Sequence, residues 1–182
     1  MNHRPRGVIL AAAMLLSLPG CTREGEMSAA GGVVQTIKLV DAAGASLGTV
    51  SVRDGASGLA ITVHASGLAP GMHGIHLHET GRCEGPKFAS AGAHWNPGMK
   101  KHGRDNPEGA HLGDLANFEV AGNGTATASF TVAGASLASG SAMLADADGT
   151  ALVIHAKADD YKTDPSGASG DRIACAVIAP PR

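Results

Sequence analysis

The chain has 182 residues, which suits one domain with a core of its own, and a formal net charge of −2 at neutral pH. Sixteen acidic residues slightly outnumber the fourteen lysines and arginines, and only 3% of the residues are aromatic. Nucleic-acid binding normally needs a basic stripe with interleaved aromatic residues, and no such stripe occurs. We therefore expect no nucleic-acid partner.

The first twenty residues have the pattern of an export signal. Arg4 and Arg6 form a charged segment, and the apolar run that follows at 8–18 is too short to span a membrane. We predict a signal peptide at 1–20, in an exported protein of the cell envelope or periplasm.

Residues 18–21, with the sequence LPGC, resemble the cleavage site of bacterial lipoproteins, in which the cysteine receives the lipid. This predicts that Cys21 anchors the protein to a membrane and that the small, polar segment 21–32 is a tether. Pro19 is unusual at its position, so an ordinary signal peptide with an incidental Cys21 is the alternative.

The chain contains three cysteines, and a lipid would account for Cys21. Cys83 and Cys175 are then an even pair in an exported chain, which favours a disulfide between them. The alternative is two buried free thiols. A bridge would close a loop of about ninety residues.

Short apolar runs separated by turn residues dominate the remaining chain, and no long stretch keeps the 3.6-residue period of a helix. Eight of these runs are predicted strands: Val33–Val40, Gly48–Arg53, Leu59–Ala65, Ile75–His78, Leu115–Val120, Thr125–Val132, Ala151–His155 and Ile173–Ile178. Eight short strands in one domain at 33–182 predict an all-β sandwich or barrel. Two long loops, 79–114 and 157–172, interrupt the rhythm, and loops of that length are usually functional.

Seven side chains that can bind metal ions form an ordered constellation in this domain: His76, His78, His94, His102, His111, Asp114 and His155. Imidazole is the commonest transition-metal ligand, and burying it without a partner costs free energy. Seven ligands exceed what one tetrahedral ion needs. The set therefore suggests two neighbouring ions that share a ligand.

Spacing supports this interpretation only in part. His76 and His78 are two residues apart on a predicted strand, so both side chains point to the same face and can reach one ion. His94, His102, His111 and Asp114 lie in one loop, and three imidazoles with one carboxylate complete a tetrahedral zinc site. His155 ends an apolar strand, where a single histidine is more often structural.

Several ordered motifs resemble those of copper/zinc superoxide dismutases: GMHGIHLHE at 71–79, GAHWNP at 92–97, HLGDL at 111–115 and GASGDRIAC at 167–175. The segment 79–83, ETGRC, resembles the exported bacterial branch. The resemblance runs from about Val33 to Ile178. It implies an eight-stranded Greek-key β-sandwich, or flattened barrel, with two long functional loops.

The resemblance also implies a role for each residue. Copper would be bound by His76, His78, His94 and His155, and zinc by His94, His102, His111 and Asp114. His94 would be shared, with one ring nitrogen on each ion, which requires a deprotonated ring that two cations can stabilise. Asp159 would accept the free N–H groups of His76 and His102, and His73 would be structural. Arg172 would hold and steer the small anionic substrate.

The implied activity is an oxidoreductase reaction in which two superoxide ions and two protons become oxygen and hydrogen peroxide, with His94 carrying a proton. A copper-buffering or copper-delivery module on the same fold is one alternative, and a structural zinc domain is another. The sequence leaves open whether the protein is a monomer or a homodimer, because relatives pair differently, and whether Lys162 extends the attractive field.

Overall fold

The computed structural model describes Met1 and residues 34–182, and this part of the chain contains nine strands and one short 3₁₀ helix at Ala89–Ala91. The strands are β1 (Gln35–Val40), β2 (Ser46–Gly55), β3 (Gly58–Ala65), β4 (Gly71–His73), β5 (Ile75–His78), β6 (Phe118–Val120), β7 (Ala126–Val132), β8 (Thr150–His155) and β9 (Arg172–Ala179). The predicted signal peptide beyond Met1, the predicted tether and Cys21 lie outside the described residues.

Among the described residues, no helix has both the length and the apolar character that a membrane crossing requires.

Seven strands form one antiparallel sheet in the order β5-β8-β9-β1-β2-β3-β7, and β4 pairs with β6 in a second, two-stranded sheet. Strands that follow one another in sequence are neighbours from β1 to β3 and at β8–β9, whereas the β3–β7 and β5–β8 pairs need long connections across the domain. This is the Greek-key, all-β arrangement that the sequence predicts, and the predicted fold class is confirmed.

The strand count differs from the prediction at one point, because the chain changes sheets at Gly74. β4 pairs with β6 before this glycine, and β5 pairs with β8 after it. Gly74 donates its N–H to the Lys157 carbonyl and accepts the His155 N–H, at 2.8 and 2.9 Å. A Cβ atom there would lie 3.1 Å from Ser169 Cβ, so the close approach favours glycine. The result is nine strands rather than eight.

A second difference concerns the predicted strand at 115–120, of which only Phe118–Val120 is a strand. The backbone N–H of Asn117 donates to the Tyr161 hydroxyl at 2.8 Å instead of joining a strand ladder. A side chain from the second long loop therefore replaces the expected strand partner.

The main core follows the two-residue period of the strands. Leu59, Ile61 and Val63 of β3 are at most 1% exposed, whereas the residues between them are partly exposed. β5 and β8 are different, because every residue in both strands is buried. Ile75 and Leu77 face the main core, so the alternate positions of β5, both histidines, point to the opposite, equally covered face.

The predicted disulfide joins Cys83 to Cys175, with 5.7 Å between their Cα atoms and 92 residues between them in sequence. This pairing is confirmed. Cys175 lies on β9 opposite Val153 of β8, and both belong to a small second apolar cluster with the buried side chain of Phe88. The bridge and Phe88 together fasten the start of the first long loop to the sheet.

Candidate metal centre

Strand pairing and the first long loop bring together the four histidines that the resemblance assigns to copper. His76 and His78 of β5 lie opposite Val153 and Ala151 of β8, and His155 ends β8 on the same face. His94 reaches this face from the loop, where it forms an isolated antiparallel bridge with His78. In this set of four, the copper set, one nitrogen from each ring lies within 4.8 Å of the others.

The chemistry of these nitrogens fits a cation. His76 Nδ1 and the Nε2 atoms of His78, His94 and His155 are buried and have no hydrogen-bond partner. Their second nitrogens are occupied: His78 Nδ1 contacts the Gly92 carbonyl at 3.0 Å, and His155 Nδ1 contacts the Gly170 carbonyl at 3.2 Å. A buried polar atom without a hydrogen-bond partner is costly, and a metal ion would satisfy four such nitrogens that lie within 4.8 Å of one another.

The second set, the zinc set, consists of His94, His102, His111 and Asp114, and its three rings surround the Asp114 carboxylate. The Nδ1 atoms of His94, His102 and His111 lie 2.9, 3.1 and 3.1 Å from one carboxylate oxygen, Asp114 Oδ1. A tetrahedral zinc ion with bonds of about 2.0 Å separates its ligand atoms by about 3.3 Å. The observed spacing is therefore close to that of a zinc coordination shell, and three imidazoles with one carboxylate are a donor set that zinc commonly takes.

His94 belongs to both sets through different atoms. Its Nδ1 contacts Asp114, and its Nε2 lies unpaired among the copper-set nitrogens. The ring itself is 5% exposed and stacks on His76 with 3.9 Å between ring centroids. His94 is thus the residue that the two candidate groups share.

Asp159 connects the two sets by contacting one histidine of each, His76 and His102. Its Oδ2 atom lies 2.7 Å from His76 Nε2, and its Oδ1 atom lies 3.0 Å from His102 Nε2. All three side chains are fully buried. A carboxylate that accepts the outer N–H group of a metal-binding histidine fixes the ring orientation and makes the other nitrogen a better ligand.

Arg172 lies at the edge of the copper set. Its Nη1 donates to the Phe88 carbonyl and its Nη2 donates to the Gly92 carbonyl, both at 2.7 Å. His78 also contacts the Gly92 carbonyl, so one backbone oxygen joins the arginine to this histidine. A cavity of about 490 Å³ opens beside the guanidinium, lined by Pro86, Lys87, Ala89, Gly170 and Asp171. A small anion can therefore approach a fixed positive charge.

Burial controls the protonation of the copper set. Loss of solvent lowers the pKa of His94 to about 4 and that of His155 to about 3. Burial also lowers the pKa of His78 well below its usual range, and the charges of His94 and Arg172 lower it further. These rings are therefore neutral at pH 7, which is the form that binds metal ions.

The zinc set is balanced differently, because it contains a carboxylate. Burial lowers the pKa of His102, but the Asp114 and Asp159 carboxylates in contact with its ring outweigh this effect and raise the pKa to about 9. Burial raises the pKa of Asp114, but the His102 and His94 rings in contact with it outweigh this effect and hold the pKa well below its usual range. Without metal, a proton on His102 thus partly replaces a cation, and zinc must displace it.

The lowered pKa values predict how the metal-free protein responds to acid. Below pH 6.5 the unfolded chain protonates His94 and His155, while the folded chain keeps them neutral until about pH 4 and 3. Stability should therefore fall as pH falls from 6.5 to 4, by about tenfold in the unfolding equilibrium constant per pH unit for each such histidine. Urea unfolding at several pH values measures this. His155→Gln should flatten the slope; an equally steep slope in that variant would contradict the prediction.

Two residues that the sequence does not single out also belong to the site. Asn117 Nδ2 donates to the Asp159 carbonyl and Asn117 Oδ1 accepts the Asp159 N–H, both at 2.8 Å. Tyr161 donates its backbone N–H to Asp159 Oδ1 at 2.6 Å. Asn117 and Asp159 are 42 residues apart, so spacing along the chain gives no signal for the contact.

Comparison with known proteins agrees with this geometry. The family model described as copper/zinc superoxide dismutase matches residues 46–178. The chain is 43% identical over 138 residues to a superoxide dismutase [Cu-Zn] of Caulobacter vibrioides, with 74% of this chain and 79% of the relative covered. It is 42% identical over 145 residues to the superoxide dismutase-like protein YojM of Bacillus subtilis, which covers 78% of this chain and 74% of the relative.

A solved structure shows the same fold. The crystal structure of a double mutant of a superoxide dismutase-like protein from Bacillus subtilis aligns with a TM-score of 0.77 and 41% identity, over 79% of this chain and 96% of that one. The match to the family model covers both histidine sets and the disulfide, because all of their residues fall within 46–178. Fold, histidine clusters and sequence therefore agree, and the chain belongs to the copper/zinc superoxide dismutase family.

Proposed function

We propose that the protein converts two superoxide ions and two protons into oxygen and hydrogen peroxide at a centre where His94 bridges copper and zinc. The observation that carries this proposal is the double placement of His94, with Nδ1 among the zinc-set atoms and Nε2 among the copper-set atoms. Copper supplies the redox change by alternating between two oxidation states, whereas zinc has no redox chemistry.

The ligands proposed for copper are His76, His78, His94 and His155, and those for zinc are His94, His102, His111 and Asp114. The unpaired nitrogens of the first set and the close spacing around Asp114 Oδ1 in the second support this division. Asp159 would keep His76 and His102 in place by accepting their outer N–H groups.

Besides the metal ions, two side chains would act in the reaction: His94 would carry a proton, and Arg172 would attract the substrate. The Nε2 atom of His94, which has no hydrogen-bond partner, would hold the proton whenever it does not bind copper, because a ring without that cation binds a proton more tightly. Arg172 holds its guanidinium beside the cavity and attracts the anionic substrate.

The protein is an exported one in this proposal. A buried disulfide fits an oxidising compartment such as the bacterial periplasm. The charged and apolar segments before residue 21 support a signal peptide, and the sequence LPGC supports a lipid on Cys21 that tethers the domain to the cell envelope. A homodimer is compatible with the family, and size measurement in solution decides between monomer and dimer.

The test combines metal content with activity. Protein loaded with copper and zinc should bind one of each per chain and remove superoxide rapidly, as measured by pulse radiolysis. A protein that binds copper tightly without turnover would instead be a copper buffer. A single zinc ion with no copper uptake at His76 and His78 would identify a structural zinc domain.

Replacing Arg172 tests the electrostatic part of the proposal. We expect Arg172→Ala to slow superoxide removal by about tenfold and to flatten its dependence on salt, because field-guided association rates fall as ionic strength rises. Copper and zinc content should not change. Arg172→Lys keeps the charge and should recover part of the rate, and Arg82→Ala, an exposed arginine next to the disulfide, should have no effect. Loss of copper in Arg172→Ala would make the residue structural.

A further inference from the structure

The segment that follows zinc-set residue His102 meets the turn after Asp159, and Tyr161 lies where they meet. The backbone N–H of Asp105 donates to the Tyr161 carbonyl at 3.1 Å. Gly103 is so close to Tyr161 that a Cβ atom there would lie 2.1 Å from the Tyr161 oxygen. The two long loops are therefore in direct backbone contact next to the zinc set.

The side chain of Tyr161 adds two further contacts. Its hydroxyl accepts the backbone N–H of Asn117 at 2.8 Å, and the guanidinium carbon of Arg104 lies 3.7 Å from the centre of its ring. Tyr161 also has a φ of 62°, in the left-handed region that tyrosine rarely adopts. A residue in that conformation is held there by its surroundings, here by contacts at the backbone, the ring and the hydroxyl.

These contacts all lead to Asp159. Asn117, which Tyr161 holds through its hydroxyl, binds both backbone polar groups of Asp159 with its side-chain amide. The Tyr161 N–H binds Asp159 Oδ1, the same oxygen that contacts His102 Nε2. Tyr161 thus holds the Asp159 carboxylate directly through its own backbone N–H, and the Asp159 backbone indirectly through Asn117.

We propose that Tyr161 is a positioning residue that joins the 103–105 segment and Asn117 to Asp159, and that its side chain slows the release of zinc. Asp159 holds the outer nitrogen of His102, so a loosened Asp159 would let the His102 ring turn away from the zinc-set atoms and so ease the loss of the ion. Arg104 on the ring and Asn117 at the hydroxyl restrain that movement from two sides. The inference rests on the proposed function only in requiring that the His102–Asp114 set bind zinc.

The test measures how fast zinc passes from the zinc-loaded protein to an excess of a chelator. Tyr161→Leu removes the hydroxyl and the aromatic face and should release zinc about tenfold faster, at the lower end of what loss of a supporting contact costs a metal site. Tyr161→Phe keeps the ring under Arg104 and should give an intermediate rate. Arg104→Gln alone should accelerate zinc release, but added to Tyr161→Leu it should cause no further acceleration. Arg53→Gln, an exposed arginine of β2, is the matched control.

A second measurement separates positioning from general stability. The rise in melting temperature caused by zinc should be smaller in Tyr161→Leu than in the wild type. A residue that only stabilises the fold would lower the melting temperatures of the zinc-free and zinc-loaded proteins equally and leave zinc release unchanged. That result in Tyr161→Phe and Tyr161→Leu would overturn the inference alone. If Tyr161→Leu does not fold, a wild-type release rate in Tyr161→Phe would overturn it. A wild-type protein that takes up no zinc would overturn the proposed function as well.

Discussion

His94→Ala is expected to lose superoxide removal by more than about a hundredfold, because it deletes the proton carrier, and positioned proton transfer alone contributes on the order of 10²–10⁴. The variant should also weaken both metal sites. In the wild type, the Nδ1 atom of His94 lies 2.9 Å from Asp114 among the zinc-set atoms, and the Nε2 atom lies among the copper-set atoms. No other residue in the described part of the chain belongs to both four-residue sets.

The matched control is His111→Ala, which removes a zinc-set residue that lies outside the copper set. Titration with copper and zinc, followed by pulse radiolysis, should show both affinities reduced in His94→Ala but only the zinc affinity clearly reduced in His111→Ala. An active His94→Ala protein with full metal content would refute the shared ligand. Equal losses of both metals in the two variants would show that the first long loop, which carries both histidines, couples the sites rather than the His94 ring.

Removing the disulfide should have the largest effect on stability. The bridge closes 92 residues of chain, and the loop-entropy relation assigns a closure of that length about 4–5 kcal/mol. We expect a Cys83→Ala, Cys175→Ala double variant to lose stability of this order in urea unfolding. Dithiothreitol should lower the free energy of unfolding of the wild type toward that of the variant, and it should leave the variant's free energy of unfolding unchanged. A variant as stable as the oxidised wild type would show that the bridge does not stabilise the fold.

The same variant should also affect activity through Arg172. The guanidinium is held by the Phe88 and Gly92 carbonyls, and both lie in the loop that Cys83 fastens to β9. Freed from the bridge, these carbonyls hold the arginine less firmly. The variant at low temperature, where it remains folded, should therefore show the weakened salt dependence expected of Arg172→Ala, with its copper content retained.

The sequence predicts the strands of this fold better than it predicts their ends. Alternating apolar residues identify β3 and β7 because one face of each strand packs on the core and the other is exposed. The break at Gly74 is not predictable in this way, because apolar and histidine positions continue through it and only the change of partner strand creates it. The strand at 115–120 is shortened by a contact with Tyr161, 44 residues away.

The candidate site divides along the same line. The i, i+2 spacing of His76 and His78 predicts one shared face, and the structure places both rings there. The gathering of His94, His102, His111 and Asp114 depends on the path of a loop without regular period, so the sequence suggests it only through residue type and resemblance. Asn117 and Tyr161 carry no such signal, since their importance comes from contacts with Asp159 that only the folded chain creates.

The pairing of Ile75 with Ile154 decides which way the rings of β5 face. If β5 slipped by one residue against β8, its whole set of side chains would exchange faces, sending His76 and His78 into the apolar core and Ile75 and Leu77 toward the ions. Such a chain could keep most of its hydrogen bonds and yet hold no copper. The copper content of a freshly folded sample therefore also reports the fraction of molecules in which this single strand has found its correct alignment.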